Sequence, residues 1–147
     1  MDFISDFSEI LGDLIGNCNM NAKQFASAIG AQNSSVSEYL RALRIPTVAR
    51  LVEIADYFNC STDYLLGLEE DKKSGKYCAC PPFDKQIEFL KQYFKCSNSY
   101  FYTGSGIPKT RFYDWLKGKR VPSLENVVKL AEHFNCSVDF VIGRSNS

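Results

Sequence analysis

The sequence predicts an all-α protein made of two tandem five-helix bundles joined by a linker, and three observations carry that reading. Arg44 to Gly67 returns as Arg120 to Gly143 at an offset of 76 residues without a gap, with 10 identities in the 24 positions. Self-similarity at a fixed period marks one structural unit written twice. Apolar residues recur at helical spacing in each copy, and there is no strand signal. In a chain of 147 residues this period leaves about 65 ordered residues per copy, near the lower limit for an independent core. The boundaries follow as residues 1–68, a linker over 69–82, and residues 83–147.

Phe7, Ile10, Leu11, Leu14 and Ile15 lie on one face of a first helix, matched by Phe83, Ile87, Leu90 and Phe94 in the second copy. Asn21 is placed to cap a second helix running to Ala28, with Phe25, Ala26 and Ile29 inward, and Gly30 provides the turn. A third helix starts near Gln32 and buries Val36, Tyr39 and Leu40. Thr47 and Ser123, each just after a proline, cap a fourth helix with Val48, Leu51, Val52, Ala55 and Phe58 on one face, or Leu124, Val127, Val128, Ala131 and Phe134. Asn59 and Asn135 can take the left-handed conformation that ends it, and Ser61 or Ser137 caps a short last helix reaching Gly67 or Gly143. Leu68 to Pro82 is polar, then rich in small residues, and ends in two prolines, the composition of a connector able to span at most about 50 Å.

The net charge is zero, yet the copies are electrically opposite. Residues 1–70 hold four Lys/Arg against ten Asp/Glu, whereas residues 83–147 hold ten against six. The cations concentrate locally: Lys23, Arg41 and Arg44 face Glu38 alone in residues 20–47, and Lys109, Arg111, Lys117, Lys119 and Arg120 face Asp114 alone in residues 96–123. Cys60, Cys136 and Cys96 fall within apolar patterns and read as core filling, while the Cys78-Ala79-Cys80 pair lacks the second pair a structural zinc needs. Reduced cysteines without metal are expected. No apolar run approaches the roughly 20 residues of a membrane span, and no leader precedes the first helix, so a cytoplasmic protein is expected. His133 has no nucleophile or second ligand spaced to work with it, so no catalytic residue, metal or cofactor is expected.

The string Ala26-x-x-Ile29-Gly30-Ala31-x-x-Ser34-Ser35-Val36-Ser37-x-x-Leu40-Arg41-x-x-Arg44-x-Pro46-Thr47, and Gly106 to Ser123 in the second copy, resemble the helix-turn-helix domain of the phage lambda repressor and Cro family of transcriptional regulators, the xenobiotic response element type. The resemblance implies two lambda-repressor-like DNA-binding domains, each placing a recognition helix, about 32–42 and 108–118, in a major groove. Gln32, Asn33, Ser34, Ser37 and Glu38 then form the reading surface of copy one, and Pro108, Lys109, Thr110, Tyr113 and Asp114 that of copy two. Arg41, Arg44, Lys117, Lys119 and Arg120 would hold the DNA backbone, and Arg111 joins them as a DNA-binding residue. Many members carry a glutamine at the second position of the second helix as a phosphate anchor; Asn98 there can still donate a hydrogen bond, and Ala22 cannot. Where members often pair an arginine in the first helix with a glutamate on the recognition helix, this chain has Ile15 with Leu40 and Lys91 with Leu116. Tyr102 replaces the small residue Ala26 and, with Gly104, predicts an altered crossing or a shortened helix in copy two.

The expectation is a sequence-specific regulator of transcription that binds double-stranded DNA, without enzymatic activity. Two recognition helices on one chain could cover half-sites about 34 Å apart as an intramolecular pseudo-dimer, and a homodimer stays open. The alternative is an interaction or dimerisation module in which the acidic first copy no longer touches DNA.

Overall fold

Hydroxyl and amide caps start helices where the sequence places them at Asn21, Thr47, Ser61, Ser123 and Ser137. The computed structural model describes residues 3–146, which form ten α-helices and, among those residues, no strand. In the first copy these are α1 (Phe3–Asn17), α2 (Ala22–Ile29), α3 (Asn33–Leu40), α4 (Val48–Phe58) and α5 (Thr62–Leu65). In the second they are α6 (Phe83–Phe94), α7 (Asn98–Tyr102), α8 (Lys109–Leu116), α9 (Leu124–Phe134) and α10 (Val138–Ile142). The chain divides into two compact units, Met1–Gly75 and Lys76–Ser147.

The caps act as expected. Thr47 accepts from the Arg50 amide at 3.1 Å and Ser123 from that of Asn126 at 3.2 Å, satisfying donors that the first helical turn leaves unpaired. Asn59 and Asn135 end the same helices at φ 51° and 53°, where an asparagine is tolerated and a branched side chain is not. Ser61 and Ser137 then cap α5 and α10 at 2.9 and 3.0 Å.

In unit 1 the core is apolar and closed around Phe7, Leu11, Phe25, Val36, Leu51 and Ile54. The first helix holds the third from behind. The Phe7 ring meets Tyr39 edge-on at 5.9 Å, and the Ser8 hydroxyl donates to the Leu40 carbonyl at 2.7 Å. Phe25 stacks on Phe58 at 5.4 Å, joining α2 to α4. Unit 2 pairs the same positions, Phe83 edge-on to Trp115 at 5.6 Å, where Trp115 replaces Tyr39, and Phe101 edge-on to Phe134 at 5.0 Å. Each such aromatic pair adds about 0.5–1.5 kcal/mol beyond its area.

The connector is tied down along much of its length. In unit 1 the Ser61 amide donates to the Lys72 carbonyl at 3.0 Å and the Gly75 amide to the Asn59 side chain at 3.3 Å. In unit 2 the Cys78 amide donates to the Arg144 carbonyl at 2.8 Å, and the Arg144 guanidinium lies 3.8 Å from the Tyr77 ring centroid. Arg144 is fully buried and pairs with Asp139 at 3.0 Å. None of the six cysteines is in a disulfide; Cys60 is buried, Cys96 and Cys136 are half-buried, and Cys18, Cys78 and Cys80 are exposed. Burial pushes the Cys96 thiol above the usual range.

Asp139→Ala leaves the buried guanidinium of Arg144 without its carboxylate and should destabilise unit 2 by about 3–5 kcal/mol. Because Trp115 is the single tryptophan, its fluorescence in a denaturant titration reads unit 2 alone. An unchanged midpoint would show that the pair does not hold unit 2 together.

Candidate nucleic-acid interface

The loop between the second and third helix is made by local chemistry. In unit 1 the Asn21 side chain accepts from the Gln24 amide at 2.8 Å while Gln24 accepts from the Asn21 amide at 2.9 Å, a reciprocal capping box. Gly30 ends α2 at φ 69° and lets the chain turn into α3; Gly106 occupies the same place in unit 2 at φ 83°. Arg50 of α4 donates to the Ile29 carbonyl at 3.2 Å and fixes the end of α2.

This scaffold buries one side of α3 and opens the other. Val36 and Tyr39 are buried, whereas Gln32, Asn33 and Ser34 are exposed and Ser37 and Glu38 half-exposed. In α8, Phe112 and Trp115 are buried, Pro108, Lys109, Thr110 and Arg111 exposed, and Tyr113 and Asp114 half-exposed. Arg41, Arg44, Lys117, Lys119 and Arg120 all lie exposed at the end of their helix and in the loop that follows. The positions singled out on the third helices and in the loops that follow thus form one open edge in each unit.

Two features of these edges escaped the sequence. Glu38 pairs with Arg44 at 3.3 Å, and Asp114 pairs with Arg120 at 3.5 Å, equivalent positions in the repeat. Each carboxylate on the third helix is held by the arginine of the next loop, which masks a charge that would otherwise repel phosphate. Both pairs are solvent-exposed, so they contribute at most about 1 kcal/mol and open readily. Only their recurrence at fixed spacing, six residues apart in both copies, could have signalled them.

The second helix differs between units as the sequence foretold. In unit 2 it stops at Tyr102 after 5 residues, against 8 in unit 1, and Thr103 is extended. Ser97 makes no cap bond to the helix, its hydroxyl meeting that of Ser99 at 2.9 Å instead. Asn98, expected to donate outward, is half-buried with its carbonyl oxygen buried and without a hydrogen-bond partner. After the third helix the chain needs one left-handed residue, which is Gly118 at φ 73° in unit 2 and Ala42 at φ 57° in unit 1.

Compared with models of protein families, the chain matches the helix-turn-helix family over residues 14–65 and again over residues 95–141. No curated protein and no solved structure matches. No helix among the described residues is long and apolar enough to cross a membrane.

Left-handed backbone at an alanine carries strain that glycine lacks, so Ala42→Gly should stabilise unit 1 by about 1 kcal/mol in thermal unfolding. Asn21→Ala should destabilise it by about 1 kcal/mol, whereas Ser97→Ala in unit 2, lacking a cap bond to lose, should leave stability nearly unchanged. Equal losses at Asn21 and Ser97 would show that the caps do not distinguish the units.

Proposed function

The chain belongs to the helix-turn-helix family, a family of DNA-binding regulators, and from that premise we propose that it regulates transcription by sequence-specific binding of double-stranded DNA through both third helices. The observation that carries the proposal is the open polar edge of α3 and α8 over a locked apolar back. A helix held in this way can enter a major groove without unfolding any part of its support. At the edge of unit 1, Asn33 offers the two-point pairing that suits adenine, and in unit 2 Lys109 can donate to guanine. The bases facing Glu38 and Asp114 would include cytosine, whose amino group a carboxylate accepts from once its arginine swings to a phosphate.

Affinity divides unequally between the units. Residues 96–123 carry five cations and residues 20–47 carry three, so unit 2 contributes the larger salt-dependent part. Asn98 adds little to this, since its side chain faces partly inward. In this reading the protein works in the cytoplasm, without enzymatic chemistry, as a single chain imitating a dimer or as a homodimer. A second reading has a specific observation in its favour: the excess of ten acids over four cations in residues 1–70 suits unit 1 to docking a protein partner.

Titration of the full chain against duplexes selected from a random pool, at two salt concentrations, tests the proposal. Affinity should fall steeply with salt, by a slope of about 0.9 per phosphate neutralised. Charge reversal at Arg111 and Lys117 should weaken binding more than reversal at Arg41 and Arg44, and both should weaken it. Affinity indifferent to salt would end the proposal; indifference to the Arg41 and Arg44 pair alone would favour the docking role for unit 1.

A further inference from the structure

Tyr102 is the last residue of α7 and takes the place of Ala26 in the repeat. Ala26 is buried in unit 1, at 2% exposure, where α2 and α3 pack closely. A tyrosine cannot occupy that space, and its side chain lies instead half-exposed against α8. Its ring centroid is 5.7 Å from that of Phe112 and 6.2 Å from that of Tyr113, and the Lys109 ammonium sits 5.8 Å from it. Phe112 is fully buried and so provides a fixed wall. Desolvation, and then the neighbouring Tyr113 phenol, push the Tyr102 phenol above the usual range.

Lys109 and Tyr113 are four residues apart on α8 and share one face. They are two of the side chains to which base contact in unit 2 falls. Lysine is a flexible point charge that donates indifferently to phosphate or base, and it discriminates only when something limits where it points. The aromatic face beneath it favours one arrangement of the ammonium, by the attraction of a cation for a ring. In unit 1 the corresponding residues are Ala26, Asn33 and Ser37, whose short side chains need no such support.

We propose that Tyr102 is a positioning residue for base readout by unit 2: from α7 its ring lies against both Lys109 and Tyr113 and holds them, so that discrimination at the bases facing those side chains depends on it. This rests on the DNA-binding reading above. The shortened α7 then has a use, because ending the helix at Tyr102 frees this side chain to lie along the edge of α8.

The test uses the full chain and a duplex that the wild type selects from a random pool, its single base-pair variants, and a scrambled duplex. Tyr102→Phe keeps the ring and should leave discrimination as in the wild type. Tyr102→Ala removes the ring and should relax discrimination at the bases facing Lys109 and Tyr113 roughly fivefold, the worth of about 1 kcal/mol. Affinity for the scrambled duplex and the salt dependence should stay as in the wild type. Equal losses on selected and scrambled duplexes, or discrimination unchanged in both variants, would overturn the proposal. Should Tyr102→Ala fail to fold, as Trp115 fluorescence would reveal, Tyr102→Leu, which keeps the bulk and loses the aromatic face, decides in its place. Failure of the wild type to select any duplex would instead sink the DNA-binding reading, and this proposal with it.

Discussion

The contact on which the rest depends is the edge-on meeting of the first helix with the third, Phe7 against Tyr39 and Phe83 against Trp115. A helix of 8 residues is too short to persist alone in water, so α3 and α8 exist because tertiary packing holds their backs. Once Tyr39 and Trp115 are buried, the 3.6-residue period dictates which side chains remain outside. The polar edge is therefore a consequence of where the ring sits. The lost arginine–glutamate pair between these helices is no handicap, since apolar packing in place of a buried ion pair is often neutral or stabilising.

What was legible in the sequence was local. Thr47, Asn59 and Ser61, with their counterparts 76 residues on, carry their conformations in their own side chains, and the helix ends fell where they pointed. The shortening of α7 was legible too, because Tyr102 and Gly104 are poor companions for a close helix crossing. The open edges of α3 and α8 followed from periodicity and from the motif.

The remainder was set by residues far apart in sequence. Arg144 lies just past the last helix that the sequence defines, yet it is fully buried between Asp139 and Tyr77, the latter 67 residues upstream and in the stretch that composition marks as a connector. Composition identifies a stretch poor in apolar residues, but it does not show whether backbone amides there find partners, as those of Gly75 and Cys78 do. Tyr102 illustrates the same limit: its size foretold that it could not sit where Ala26 does, and not that it would come to rest beside Lys109. The orphaned carbonyl oxygen of Asn98 likewise reflects how α7 is seated, which no short pattern encodes.

Twin folds on one chain face a hazard during folding, since a segment of one can insert into the half-made core of the other. The rings of unit 2 guard against this. Phe112 and Trp115 stand where unit 1 has Val36 and Tyr39, all four buried, so a third helix entering the wrong bundle would be too bulky in one direction and leave a void in the other. Overpacking by even a few carbons costs about 1–3 kcal/mol, and cavities of this size at least as much. Divergence in core volume, kept beneath a shared pattern of caps, thereby puts an energetic cost on exchange between the halves.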